Sequence, residues 1–109
     1  MPAPPRTRRD DASLTPLRVA QAEFTRDASS ALRADAAARI DGDPHLVVDL
    51  AAVAYIDMVG VGTLFHLYRI AAARGGSLRV LNVGPRAFQR LRISGLPQFA
   101  AVEPSSDSR

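Results

Sequence analysis

Hydrophobic and polar positions divide the chain into short apolar runs separated by turn-forming residues. Leu46 to Leu50 (LVVDL) is nearly continuous and predicts a buried central strand. Ser77 to Val83 (SLRVLNV) predicts a second clear strand, with Leu78, Val80 and Asn82 on one face. Leu17 to Phe24 alternates only weakly, through Leu17, Val19 and Phe24, and predicts an edge strand. Thr25 is placed to cap a helix over 26–40, whose alanines favour it and whose stripe is Leu32, Ala36 and Ile40. Asp35 and Arg39 have the spacing of a helical ion pair. Asp41-Gly42-Asp43-Pro44 ends that helix with turn chemistry. A second helix is predicted over 60–74, closed by Gly75-Gly76. A third is opened by Gly84-Pro85, carries Phe88 and Leu91, and stops at Gly95. Phe99 to Val102 supplies a last short strand.

After the first edge strand the order is therefore β-α-β-α-β. Strands joined by helices are parallel, through right-handed crossovers. The expected fold class is α/β, a mixed and mostly parallel sheet of about four strands with interleaved helices. Residues 1–16 are rich in Pro, Arg, Asp, Ser and Thr, lack an apolar period, and read as a disordered tail. Residues 104–109 read the same way. One folded domain over 17–103 remains, and a chain of 109 residues leaves room for no second core.

Composition narrows the function classes. No run of roughly 18 apolar residues occurs, so no membrane span is predicted. The opening MPAPPRTRRDD lacks the apolar segment of a signal peptide, and a cytoplasmic location is expected. Absence of Cys excludes disulfides and thiol chemistry. The formal charge is only +3, and every basic residue besides His is Arg. These arginines are scattered; the closest approach to a basic stripe is Arg86, Arg90 and Arg92. No stacking aromatics interleave them, so nucleic acid is not an expected partner.

Candidate chemistry concentrates between the central strand and the second helix. Val53 to Ile56 leads to Asp57, then Met58 and Val59, and the helix opens at Gly60. Such a junction gathers unpaired amides and the positive end of the helix dipole. Here it carries a Met-Val pair in place of hydroxyls or a glycine cradle, and so has no side-chain nucleophile. Asp57 has a structural reading, as a cap on the helix or on the loop amides. Centring the helix on Val61 gives an inner stripe of Val61, Leu64, Phe65, Tyr68 and Ala72. The outer side then holds Gly62, Thr63, His66, Ile70 and Ala73, with Leu67 at the border. Thr63, His66, Leu67 and Ile70 would adjoin Asp57, Met58, Val59 and Gly60 as a mildly apolar contact surface for a protein. The competing reading is the ordinary scatter of apolar residues on any surface.

Catalysis has little support. A general acid or base would need a second titratable group converging on Asp57. His45 precedes a strand and His66 lies on a helix face, with no carboxylate at a motif spacing from either. No P-loop, GxGxxG, GxSxG or HExxH pattern occurs. The expectation is a binding protein rather than an enzyme, with no cofactor and no metal.

LVVDLAAVAYIDMVGVGTL, the helix ending in AAARGG, and SLRVLNVGPRAFQRLRISGL together resemble a STAS domain. More narrowly, the chain is similar to the bacterial anti-sigma factor antagonists. That pattern has a strand ending in Asp, then a second Asp followed by Ser or Thr, a small residue and Gly-Leu. A helix ending in a double glycine, a strand, a Pro-led helix and a Ser- or Thr-Gly-Leu complete it. Asp49-Leu50, Tyr55-Ile56-Asp57, Gly60, Gly75-Gly76 and Ser94-Gly95-Leu96 match in order and spacing, and Ala22-Glu23-Phe24-Thr25 matches loosely.

The resemblance implies partner switching. An unmodified antagonist binds an anti-sigma factor of the serine-kinase type, and phosphorylation of the hydroxyl after the motif Asp releases it, because phosphate adds about −1.5 to −2 charges. This chain departs at that place: the acceptor position is Met58 and the next is Val59. Thr63 is the nearest hydroxyl, but it does not match the acceptor position. The expected function is an anti-sigma factor antagonist that is not switched at the usual site. Two alternatives keep the fold: a STAS subunit of an ABC-type lipid transport assembly, and a degenerate STAS scaffold.

Overall fold

The apolar run Leu46–Asp49 becomes the strand on which the other elements assemble. A computed structural model describes residues 15–106; residues 1–14 and 107–109, most of the two expected tails, lie outside the described residues. In chain order these residues form β1 (Leu17–Arg18), β2 (Glu23–Phe24), α1 (Arg26–Ile40), β3 (His45–Asp49), β4 (Tyr55–Ile56) and α2 (Met58–Ala73). There follow β5 (Ser77–Val83), α3 (Pro85–Ser94), a 3-10 turn η1 (Leu96–Gln98) and β6 (Ala101–Pro104). Four strands make one sheet in the order β1-β3-β5-β6, and β2 pairs with β4 separately. Every one of these pairings is parallel. The molecule is an α/β fold, as the alternation of strands and helices predicts.

Register places Leu46 opposite Leu78 and Val48 opposite Val80. All four side chains are buried, together with Leu32, Leu64, Leu67 and Leu91 from the helices. Burying each such side chain fully contributes roughly 1.5–3 kcal/mol before chain entropy is counted. α1 packs against α2, and α2 packs in turn against β3, β4 and β5. The α1 stripe Leu32, Ala36 and Ile40 is buried as its spacing predicts, with Ala28 and Ser29 beside it.

The double glycine after α2 has two separate causes. Gly75 adopts φ 78°, and the amides of Gly75 and Gly76 donate to Ala72 and Ala71 carbonyls at 3.0 and 2.8 Å. This is the Schellman closure of a helix. A Cβ on Gly76 would stand 2.0 Å from the Pro44 carbonyl oxygen, so the loop before β3 leaves no room for a side chain.

One carboxylate is buried at the end of β3. Asp49 Oδ1 accepts from the Ala51 amide at 2.9 Å and from the Asn82 side-chain amide at 3.1 Å. Its Oδ2 pairs with Arg18 of β1 at 3.3 Å. Asp49 thus ties β1, β3 and β5 together where the sheet gives way to loops.

Several local expectations are corrected. Leu17 to Phe24 is not one strand: β1 pairs with β3, whereas β2 pairs with β4. The intervening Ala20, Gln21 and Ala22 are exposed and offer no large apolar group to hold a common edge. Asn82 does not share the buried face of Leu78 and Val80. It is exposed at φ 57°, the register shifts between Val80 and Val83, and Val83 is buried instead. Arg39 donates to the Thr15 carbonyl, and no Asp35–Arg39 ion pair forms. Thr25 holds the N-cap position of α1 but its side chain makes no capping bond. The last strand begins at Ala101, after η1, and runs through Pro104; the Ser105 amide then donates to Val83 O at 2.8 Å. Pro104 and Ser105 therefore belong to the sheet edge rather than to a tail.

Candidate partner-binding site

The junction before α2 is built from β2 outward. The Ala22 carbonyl accepts from the Ala54 and Tyr55 amides at 2.7 and 3.1 Å. Parallel pairing sets Glu23 beside Tyr55 and Phe24 beside Ile56. Asp57 follows in extended conformation and acts as the N-cap of α2, its carboxylate accepting from the Gly60 amide at 3.0 Å. That arrangement satisfies one of the orphan donors of the first turn. The capping role expected for Asp57 is the one it plays.

α2 begins two residues earlier than its pattern predicts, so Met58 and Val59 occupy its first turn rather than a loop. Gly60 is buried, and a Cβ there would stand 2.4 Å from the Phe24 carbonyl oxygen and 2.7 Å from Ile56 Cγ1. The helix start is thus pressed onto β2 and β4 at Gly60, and the two residues before it are turned outward. Met58 is 74% exposed and Val59 is 45% exposed. Tyr55, one strand position before the cap, is also exposed.

The rest of the expected surface does not assemble as the periodicity suggested. Thr63 and Leu67 are fully buried, and Gly60 is an internal contact, so none of the three can meet a partner. His66 and Ile70 are half-buried. The buried residues of α2 are Gly60, Val61, Thr63, Leu64, Leu67 and Ala71, a face rotated from the one centred on Val61. The physical reason is that α2 lies between the sheet and α1 and buries two flanks. Thr63 tolerates this because its hydroxyl donates to the Val59 carbonyl at 2.8 Å. Phe65 and Tyr68 contact exposed Phe99 at ring-centroid distances of 6.2 and 5.5 Å, on the side of α2 near η1. Ala72, expected inside, is exposed.

Burial, with the charges of Arg33 and Arg69, lowers the His66 pKa. Both effects disfavour the charged imidazolium. The surviving expected contact residues are Met58 and Val59 at the centre, with His66 and Ile70 partly accessible.

The family model described as Mlab, STAS domain, matches residues 11–102. The chain belongs to the STAS family. Among solved structures, this STAS chain is similar to the murine Solute Carrier 26 family member A9 (Slc26a9) anion transporter in the inward-facing state. The likeness has a TM-score of 0.61 at 21% identity, and it spans 84% of this chain but 15% of the transporter chain. At that identity it speaks for the fold alone. No curated protein matches the sequence at a significant level. Among the described residues of this STAS domain, no helix is long and apolar enough to cross a membrane.

A groove beside the junction escaped the sequence reading. Tyr55 and Ile56 face Arg86, Arg90 and Ile93 of α3 across it. The available signal was the spacing of Arg86, Arg90 and Ile93, which puts them on one stripe of a helix.

Proposed function

We propose that this STAS protein is a regulatory docking module whose partner seats on the first turn of α2. The observation that carries the reading is the exposure of Met58, 74%, on a turn fixed by the Asp57 cap and the Gly60 contact. An exposed thioether side chain adapts to irregular apolar surfaces, and a preorganised turn lowers the ordering cost of association. The partner is an anti-sigma factor of the serine-kinase type, and the chain acts as its antagonist. Binding is not reversed by phosphorylation at the usual position, because Met58 carries no hydroxyl. Thr63 is no substitute acceptor: it is buried and its hydroxyl is engaged by Val59.

A second reading has its own support. The matching family model is the one described as Mlab, and a permanently docked subunit of an ABC-type lipid transport assembly has no use for a phosphorylatable turn. The two readings share the surface and differ in the partner. Titration calorimetry of the full chain against purified kinase-type anti-sigma factors and against transport ATPase subunits of its source organism separates them. Saturable binding to an anti-sigma factor supports the first reading; binding to the ATPase alone replaces it with the second.

A further inference from the structure

A groove of about 450 Å³ runs between β4 and α3, lined among others by Tyr55, Ile56, Arg86, Gln89, Arg90 and Ile93. Arg86, Arg90 and Ile93 recur at helical spacing on one stripe of α3, while Leu91 is buried and fixes the rotation of the helix. Ile93 is 79% exposed and Tyr55 is 45% exposed, so the groove presents two open apolar side chains side by side with its arginines.

The charged residues that line it, Arg86 and Arg90, are both positive, and exposed Glu23, beside Tyr55 on β2, forms an ion pair with neither. The Arg90 guanidinium lies 5.8 Å from the Tyr55 ring centroid, within cation–π range. No acidic residue lines the groove. Among the described residues the ion pairs are Arg18–Asp49, Arg74–Asp41 and Arg79–Glu103, and neither Arg86 nor Arg90 takes part in one. Arg86 also stands in the first turn of α3, at the positive end of the helix dipole, with no acidic residue in that turn. Apolar walls and two arginines outside any ion pair coincide.

We propose that this groove receives an acidic segment of a protein, with an apolar side chain against Tyr55 and Ile93 and carboxylates at Arg86 and Arg90. The proposal deepens the docking reading, since β4 leads directly into the Met58 turn and one partner can span both. Nucleic acid fits less well: the ring of Tyr55 is already paired with Arg90, and Ile93 offers nothing to a phosphate backbone.

The test uses the full chain to select from a phage-displayed library of random dodecapeptides. Enriched sequences combine Asp or Glu with Leu, Ile or Phe, and a synthetic representative shifts the amide resonances of Tyr55, Arg86, Arg90 and Ile93. The double substitution Arg86→Glu with Arg90→Glu weakens that peptide about tenfold or more, and added salt weakens binding to the native chain. The milder Arg86→Gln with Arg90→Gln, at exposed positions, reproduces the loss without reversing charge. Arg69→Gln, at an exposed position on α2 outside the groove lining, leaves peptide binding unchanged, and calorimetry of the Met58 turn against the anti-sigma factor reads the docking surface separately. Absence of enrichment, or enrichment of basic or uncharged sequences, overturns the proposal. So does a random single-stranded oligonucleotide that shifts the same resonances with higher affinity than the peptide.

Discussion

Gly60 meets the backbone of Phe24 so closely that a Cβ on it would stand 2.4 Å from the Phe24 carbonyl oxygen. The obstacle is main chain, which cannot rotate aside, and Ile56 Cγ1 closes the other side at 2.7 Å. Gly60→Ala must therefore shift the start of α2 away from β2. Overpacking of this kind costs about 1–3 kcal/mol. Urea unfolding should show the loss as a lower midpoint at an unchanged slope. Gly62→Ala, where a Cβ meets nothing within 4 Å, is the control and should be neutral or slightly stabilising.

Asp49 supports a second prediction, because its carboxylate is shared among three donors from separate parts of the chain. Asp49→Ala leaves the Ala51 amide and the Asn82 side chain without their acceptor at a part-buried site. The expected cost is roughly 2–3 kcal/mol, compared with less than about 1 kcal/mol for Arg18→Ala, whose side chain is 65% exposed. Chemical denaturation of the two variants side by side checks the ranking. Equal losses would mean that the ion pair, rather than the hydrogen bonds, holds the end of β3.

The contrast between α1 and α2 explains what was legible in the sequence. α1 spans Arg26–Ile40 as predicted because one stripe of Leu32, Ala36 and Ile40 faces the core and a turn sequence ends it. β5 and α3 were equally plain, bounded by Gly75-Gly76, Gly84-Pro85 and Gly95. α2 is packed on two sides, and its mean pattern carries no single phase. A phase centred on Val61 puts Thr63 outside; the packing of α2 on α1 buries it, and its hydroxyl is satisfied within the helix by the Val59 carbonyl one turn back. At the site itself, Met58, Val59 and the Asp57 cap were readable from local order. The groove depends on β4 meeting α3, a contact between segments some thirty residues apart that periodicity within either cannot express.

His66 makes the fold sensitive to acid in a defined direction. Its pKa in the folded protein lies below the ordinary 6.5, through burial and then through Arg33 and Arg69. The unfolded chain consequently binds the proton more readily than the folded one. The contribution of neutral His66 is complete above 6.5 and is lost as pH falls through the lowered folded value. Titration of the His66 ring protons by NMR should give a midpoint below 6.5. His66→Gln should flatten the fall in stability across that window, and an unaltered fall would assign it to other groups.

The direct test of the proposed docking turn is a substitution series at Met58, followed by calorimetric binding to the proposed partner, an anti-sigma factor of the serine-kinase type, with and without ATP and magnesium. The native chain should bind equally in both conditions. Met58→Asp should weaken binding at least about tenfold by placing a carboxylate in an apolar contact. On the proposed reading, Met58→Ser should bind and then dissociate when ATP is supplied, because a hydroxyl at this position can accept the phosphate. A Met58→Asp variant that binds as tightly as the native chain would contradict the assignment of this turn as the partner surface.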